Sequence, residues 1–263
     1  MKSNLACFIF CFFSYRLCAD ELKGPHHEGT ISSVNLGIRY SSVLQNRGVI
    51  FYNDYQIDPV LGVFLFDDRV EFLGDSLGFR DFVVKDWIRL RTRLVSISDN
   101  PLFPAKDAVK NDSPDRQDTY EWNNSAEFFI PGYINNYAAE IDLSWTKDIA
   151  QTHGNYLEAQ SKTKLFDLKV PFAGTKIEPN FFASVGWGDK AHNQYFYGPD
   201  VEQSGFNNLA YGLWFVFPEE ADRFYPIIQL RHFQTLGQNR DGAYASGRSE
   251  GWLLSFIATA GVL

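Results

Sequence analysis

Residues 133 to 148, "YINNYAAEIDLSWTKD", alternate with a period of two. Tyr137, Ala139, Ile141, Leu143 and Trp145 share one parity, and Ala138, Glu140, Asp142, Ser144 and Thr146 share the other. Successive side chains of an extended chain point to opposite faces, so the stretch is predicted to be a strand with one apolar wall and one polar wall. The pattern returns along the chain. In "DWIRLRTRLVSIS" Ile88, Leu90, Thr92 and Leu94 oppose Arg89, Arg91 and Arg93. In "EPNFFASVGWGD" Phe181, Ala183, Val185 and Trp187 oppose Phe182, Ser184 and Gly186. Further apolar series run through Leu209, Tyr211, Leu213, Phe215 and Phe217, and through Trp252, Leu254, Phe256, Ala258, Ala260 and Val262.

A soluble sandwich produces the same alternation, so the decision between protein and lipid against the apolar wall rests on other features. Most segments approach or exceed the roughly 9 to 11 residues that a tilted strand needs to cross a bilayer, against roughly five or six for ordinary strands. Trp87, Tyr137, Trp145, Trp187, Tyr211 and Trp252 stand near strand ends, as aromatic girdles at two membrane interfaces require. Beyond the N-terminal leader, no segment offers the eighteen or so uninterrupted apolar residues of a membrane-spanning helix. Twelve segments are predicted, over 29–40, 48–57, 61–66, 69–82, 86–98, 119–131, 134–146, 153–168, 176–187, 207–217, 223–235 and 250–263. The three longest connections, 99–118, 188–206 and 236–249, then follow strands five, nine and eleven and emerge on one side. Short turns on one side and long loops on the other are the asymmetry of bacterial outer-membrane barrels. The expectation is an all-β fold, a closed antiparallel transmembrane β-barrel of about twelve strands, within about ten to fourteen.

The first residues, "MKSNLACFIFCFFSYRLCAD", combine Lys2, an apolar run from Leu5 to Phe13 and the small Ala19 before Asp20, which predicts a secretory signal peptide over 1–19. Residues 20–28 then form a polar periplasmic lead-in and 29–263 the barrel. Cys7, Cys11 and Cys18 all lie in the leader, which argues against disulfide, Cys-metal or Cys-nucleophile chemistry in the exported chain. Loss of Lys2 and Arg16 with the leader takes 24 basic residues to 22 against 32 acidic ones, a formal charge of −10 in place of −8. Binding of nucleic acid through phosphate contacts requires the opposite sign.

The stretches "VNLGIRYSS", "NQYFYGPDVEQSGFNNLAYG" at 193–212 and "RFYPIIQLRHFQTLG" at 223–237 resemble the MipA/OmpV family of outer-membrane proteins, loosely from about residue 30 onward. The chain departs from that family's pattern at "SSVLQNRGV", where a Tyr-x-Gly-Ser element is common, at Pro199, and at Leu263. The resemblance implies a non-enzymatic scaffold in the outer membrane of a Gram-negative bacterium, with outer-membrane lipid around it. A lytic transglycosylase or another peptidoglycan-remodelling enzyme would be its partner.

Arg89, Arg91 and Arg93, with Glu140 and Asp142, are predicted to face the lumen, because an arginine facing lipid at the midplane costs about 2–4 kcal/mol. Glu158, Lys162 and Lys164 fall on the same kind of face. Such charges either close the lumen in a salt-bridge network or form a constriction that selects small anions, giving a narrow pore. His26 and His27 beside Glu28 lack the spacing of a zinc motif. His232 shares parity with Ile228 and Leu230 and is expected on the outer wall near the external rim, where a lipid hydrolase would keep its catalytic groups. Ser255 is expected on the opposite, lumenal face. His153 and His192 carry no motif, and the sequons at Asn111 and Asn123 are expected to be chance matches. No catalytic, cofactor-binding or metal-binding residue is assigned. Scaffold, narrow pore and lipid hydrolase remain the three function classes, in that order.

Overall fold

The computed structural model describes residues 31–42, 44–47, 49–52, 55–84, 87–97, 118–130, 139–166, 168–169, 176–217, 224–244 and 249–261. Twelve strands form a closed antiparallel β-barrel. In chain order they are β1 (Ile31–Ser41), β2 (Gln56–Leu65), β3 (Val70–Leu73), β4 (Ser76–Val84), β5 (Ile88–Ile97) and β6 (Thr119–Ile130). They continue as β7 (Ala139–Asp148), β8 (Asn155–Lys164), β9 (Lys176–Gly188), β10 (Gly205–Val216), β11 (Phe224–Thr235) and β12 (Glu250–Gly261). Each strand pairs with the next, and β12 pairs with β1 from Asn35↔Gly261 to Ser41↔Ser255, which closes the wall. Closure satisfies the strand backbones in a medium that offers no hydrogen bonds.

Burial follows the pleat along most of the described strands. Along β6, Thr119, Glu121, Asn123, Ser125, Glu127 and Phe129 are buried, while Tyr120, Trp122 and Ile130 are exposed. The outer wall is a belt of exposed apolar side chains, including Leu36, Ile38, Leu90, Leu143, Phe181 and Leu254. A belt of this extent is what lipid covers, and it makes the fold that of an outer-membrane barrel. Among the described residues no helix is long and apolar enough to cross a membrane. Trp87, Trp145, Tyr211 and Trp252 stand outward and exposed, as the girdle requires. Trp145 keeps its polar handle occupied, its Nε1 donating to Asn155 Oδ1 at 3.3 Å.

The strand count matches expectation, but three of the segments do not. The predicted strands at 48–57 and 61–66 are one strand, β2, preceded by a hairpin (Leu44–Asn46 with Val49–Tyr52) that forms a two-stranded sheet of its own. The predicted strand at 69–82 is two, β3 and β4, folded at Gly74–Asp75, where Gly74 takes φ 57°. A two-residue hairpin turn needs positive φ, which glycine adopts without strain. The two errors compensate, so the long connections still follow strands five, nine and eleven. Because β3 is only four residues long, it meets β2 at Leu65, Phe64 and Val63 alone. Pro59, which has no N–H to donate, lies in the stretch of β2 that pairs with β1 on one side and lies beyond the reach of β3 on the other. The leader, the lead-in with His26 and His27, Asn111, Tyr137 and nearly all of the 99–118 connection lie outside the described residues.

Two further elements sit on the long-connection side. Helix α1 (Lys190–Tyr197) follows β9, and a 3-10 turn (Gly237–Asp241) follows β11. Asp189 caps α1, its Oδ1 accepting from His192 N at 2.9 Å. Its Oδ2 accepts from the backbone N and side-chain Nδ2 of Asn155 at 2.8 and 2.7 Å, which ties the helix to the top of β8.

Candidate functional site

The five charges singled out from the sequence all lie on inward faces, and the structure gathers them into one sector. Arg89, Arg91 and Arg93 project from β5 between Glu71 of β3 and Glu127 of β6. Arg91 Nη1 lies 2.7 Å from Glu127 Oε1, and its Nε lies 3.3 Å from Glu71 Oε1. Arg89 Nε bonds the other oxygen of Glu127, and its guanidinium stands 5.0 Å from the Phe129 ring. Arg93 Nη2 donates to Asn123 Oδ1 at 3.2 Å, and Asn123 Nδ2 donates to Thr146 Oγ1 at 2.7 Å. Asn123, the head of the second sequon, is therefore committed inside the lumen. Arg80 of β4 joins the ladder, its Nε 3.7 Å from Glu71 Oε2.

Glu71 reaches three arginines because Gly78, opposite both Glu71 and Arg93 in register, leaves the space between them open. Any Cβ at residue 78 would meet the Arg93 side chain. Asp142 stands directly across from Glu127, and Glu140 across from Phe129, both on the inward face of β7. Each arginine is thus held by a carboxylate or amide of the wall. Charge-assisted bonds of this kind are what makes burial of the guanidinium groups tolerable.

The opposite wall of the lumen is richer in apolar side chains, with Asn180, Ser184, Arg231 and Ser255 interspersed among them. Phe182, Ala210, Trp214, Phe233 and Leu253 of β9 to β12 form one buried cluster. Ile227 and Ile257 join Val60, Phe64 and Leu73 in a second. Lys162 of β8 stands 5.0 Å from the Trp214 ring, at the boundary between the two kinds of wall.

Above the ladder, on the long-connection side, the described mouth is occupied by a single arginine. Arg47 sits at the turn of the detached hairpin, at φ 47°, and is 6% exposed. Its Nη1 and Nη2 donate to Glu121 Oε1 and Oε2 at 2.7 and 2.6 Å, a bidentate fork. Its guanidinium carbon lies 4.3 Å from the ring of Tyr156 and 4.3 Å from that of Phe196. His192 stacks on both rings, at 4.9 and 4.6 Å, with its ring nitrogens 3.4 to 3.5 Å from Arg47 Nη1. The Tyr197 hydroxyl donates to the Arg47 carbonyl at 2.9 Å. Asn193 and Asn207 bond each other beneath the helix, beside Gly188, whose missing side chain gives His192 and Asn193 their room.

No sequence signal identified Arg47, Glu121, Tyr156 or Phe196 as a group, since they come from four separate elements. The helix alone had a local mark: Asp189 three residues before His192 and Gly198 at its end, the pattern of an N-cap and a C-terminal glycine. His232 lies on the outer wall as expected, with Tyr211 and Trp252 across from it in register and their rings 5.0 and 4.9 Å away. Ser255 lies inside, donating to Gln229 Oε1 at 3.1 Å, so the barrel wall separates the two. His153 occupies a turn at φ 55° and its carbonyl accepts from Lys147 Nζ. Among the described residues no group of three or more His, Cys, Asp or Glu side chains is placed to hold a metal ion. No known family model and no curated protein matches the chain.

Proposed function

We propose that the chain is an outer-membrane barrel with a closed interior that acts through its rims, as a non-enzymatic scaffold for peptidoglycan-remodelling enzymes. The observation that carries this reading is the state of the interior. One wall is an arginine ladder whose members are all engaged by wall residues, the other packs Phe182, Trp214, Phe233 and Leu253 around a few polar side chains and Arg231, and Arg47 stoppers the mouth. Among the described residues, such an interior keeps the ladder's arginines engaged by the wall and not available to a solute. The choice of a murein enzyme, a lytic transglycosylase in particular, rests on the resemblance of "VNLGIRYSS" and the 193–212 stretch to the MipA/OmpV family.

The test joins two measurements on detergent-folded protein of demonstrated heat-modifiable gel mobility. In a planar bilayer the wild type is expected to give no single-channel steps, and in pull-down it is expected to retain a purified lytic transglycosylase. Discrete steps altered by Arg91→Ala would replace the scaffold with a narrow, arginine-lined pore. One observation favours that second reading: among the described residues, the hairpin that carries the stopper pairs with itself and not with the barrel sheet.

A further inference from the structure

The geometry points to a binding site for a guanidinium-bearing solute at the barrel mouth, a cage of Glu121, Tyr156, His192 and Phe196 in which Arg47 is the resident, exchangeable occupant. The cage is built by parts other than the hairpin. Glu121 comes from β6, Tyr156 from β8, and His192 and Phe196 from α1, which Asp189 fastens to β8. The Tyr156 hydroxyl donates to Asn208 Oδ1 at 3.1 Å, and Gly186 leaves the space in which that phenol lies. The recognition elements therefore stay in position whether or not Arg47 is present.

Their chemistry is specific. A carboxylate presenting both oxygens to a planar fork selects guanidinium or amidinium over a spherical ammonium. Two aromatic faces, each 4.3 Å from the same carbon, select a flat cation over a neutral group. The cage reads the two terminal nitrogens only: the buried Nε of Arg47 has no hydrogen-bond partner. Everything that Glu121, Tyr156 and Phe196 recognise in the Arg47 guanidinium is thus present in a free guanidinium compound, and the Tyr197 hydroxyl's bond to the Arg47 carbonyl is the further contact that displacement has to break. The occupant, by contrast, is delivered by a two-stranded appendage through a non-glycine residue in the left-handed region, a conformation that costs free energy. A solute entering the cage would displace the Arg47 side chain and with it the hairpin tip, so binding and displacement of the stopper are one equilibrium.

Two measurements test the assignment. Calorimetry on Arg47→Ala with methylguanidinium, and with methylurea as its neutral, equally flat analogue, reads the cage directly. Methylguanidinium is expected to bind at least tenfold more tightly, and adding Glu121→Gln is expected to remove that preference. Equal affinity for the two compounds would overturn the cation site. Hydrogen exchange of residues 44–52 in the wild type reads displacement and needs no substitution. A tethered group competes at an effective concentration on the order of millimolar, so the titration runs well above that. A saturable rise in exchange with methylguanidinium, absent with methylurea, is expected. A flat curve over the same range would overturn exchange and leave Arg47 a fixed stopper, even where Arg47→Ala binds the compound. Should Arg47→Ala fail to fold, Arg47→Lys, which keeps the charge and loses the fork, takes its place. Its hairpin is expected to be displaced at least tenfold more readily than that of the wild type, and displacement no easier than in the wild type would overturn the selectivity for the fork.

Discussion

From β3 to β7 the inward positions carry Glu71, Arg80, Arg89, Arg91, Arg93, Glu127 and Asp142, whereas from β9 to β12 the large inward side chains are Phe182, Trp214, Ile227, Phe233, Leu253 and Ile257, with Asn180, Ser184, Ser255 and the single Arg231 between them. Outside, the two halves are alike, since Leu90 and Leu94 on one and Phe181 and Leu254 on the other are all exposed on the outer wall. Lipid dictates the outer face of a barrel; the inner face has only to be filled and satisfied. The charged half meets that demand by pairing, because a buried charge without a partner is costly. The apolar half meets it by volume, as any protein core does. The two halves should therefore fail differently.

The largest effect is expected from Glu127→Ala, which deprives Arg89 and Arg91 of their shared carboxylate. A loss of about 3–5 kcal/mol is expected in denaturant unfolding followed by gel mobility. A loss under roughly 1 kcal/mol would mean that water reaches the ladder and that the halves differ less than their residues do. In the apolar half, Phe233→Ala is expected to cost roughly 3 kcal/mol in the same assay, by the cavity it leaves. A milder cost would show that the wall collapses into the space.

The contrast is sharpened by converting one kind of wall into the other. Arg39 and Asp58 face each other across β1 and β2 at 2.9 Å, buried and apart from the ladder. Asp58→Ala alone is expected to destabilise by a few kcal/mol, while Arg39→Met with Asp58→Leu is expected to stay within roughly 1 kcal/mol of wild type. A double variant as damaged as the single one would show that the pair does more than fill space. The smallest effect is expected outside, where His232→Phe keeps the stack with Tyr211 and Trp252 and should change stability by no more than about 0.5 kcal/mol. Fatty-acid release from phospholipid vesicles is expected to be unchanged by it. A drop in release would bring back a hydrolase at the rim.

The same contrast explains how much of the molecule was legible in the chain. Alternation of Leu90 and Leu94 with Arg89, Arg91 and Arg93 announced strand, face and lumen at once, because lipid on one side and charge on the other leave a single parity. On β12, Leu253 and Leu254 are both apolar, so only the two aromatic residues on the parity of Leu254, Trp252 and Phe256, mark the outer face. The region from 44 to 84 was misdivided for another reason. A four-residue strand, a two-residue turn at Gly74–Asp75 and three consecutive residues at positive φ, Phe66, Asp67 and Asp68, carry too little periodicity to mark their own boundaries. The cage around Arg47 was illegible in principle: its members lie at positions 47, 121, 156, 192 and 196, and only closure of the barrel brings them together.

The seam between β1 and β12 sets the order of events in assembly. At its upper end the backbone N of Ser42 donates to the Leu254 carbonyl at 2.9 Å, and Leu254 N donates to the Ser42 hydroxyl at 3.0 Å, a pairing that spans 212 positions. Neighbouring hairpins can form as soon as their own residues are present, but this contact must wait for nearly the whole chain, and such distant contacts form slowly. Until then β1 presents a naked strand edge, which will accept any extended segment that meets it. The time that edge spends unpaired, more than the strength of any bond in the finished wall, sets how exposed the unfinished chain is to mispairing.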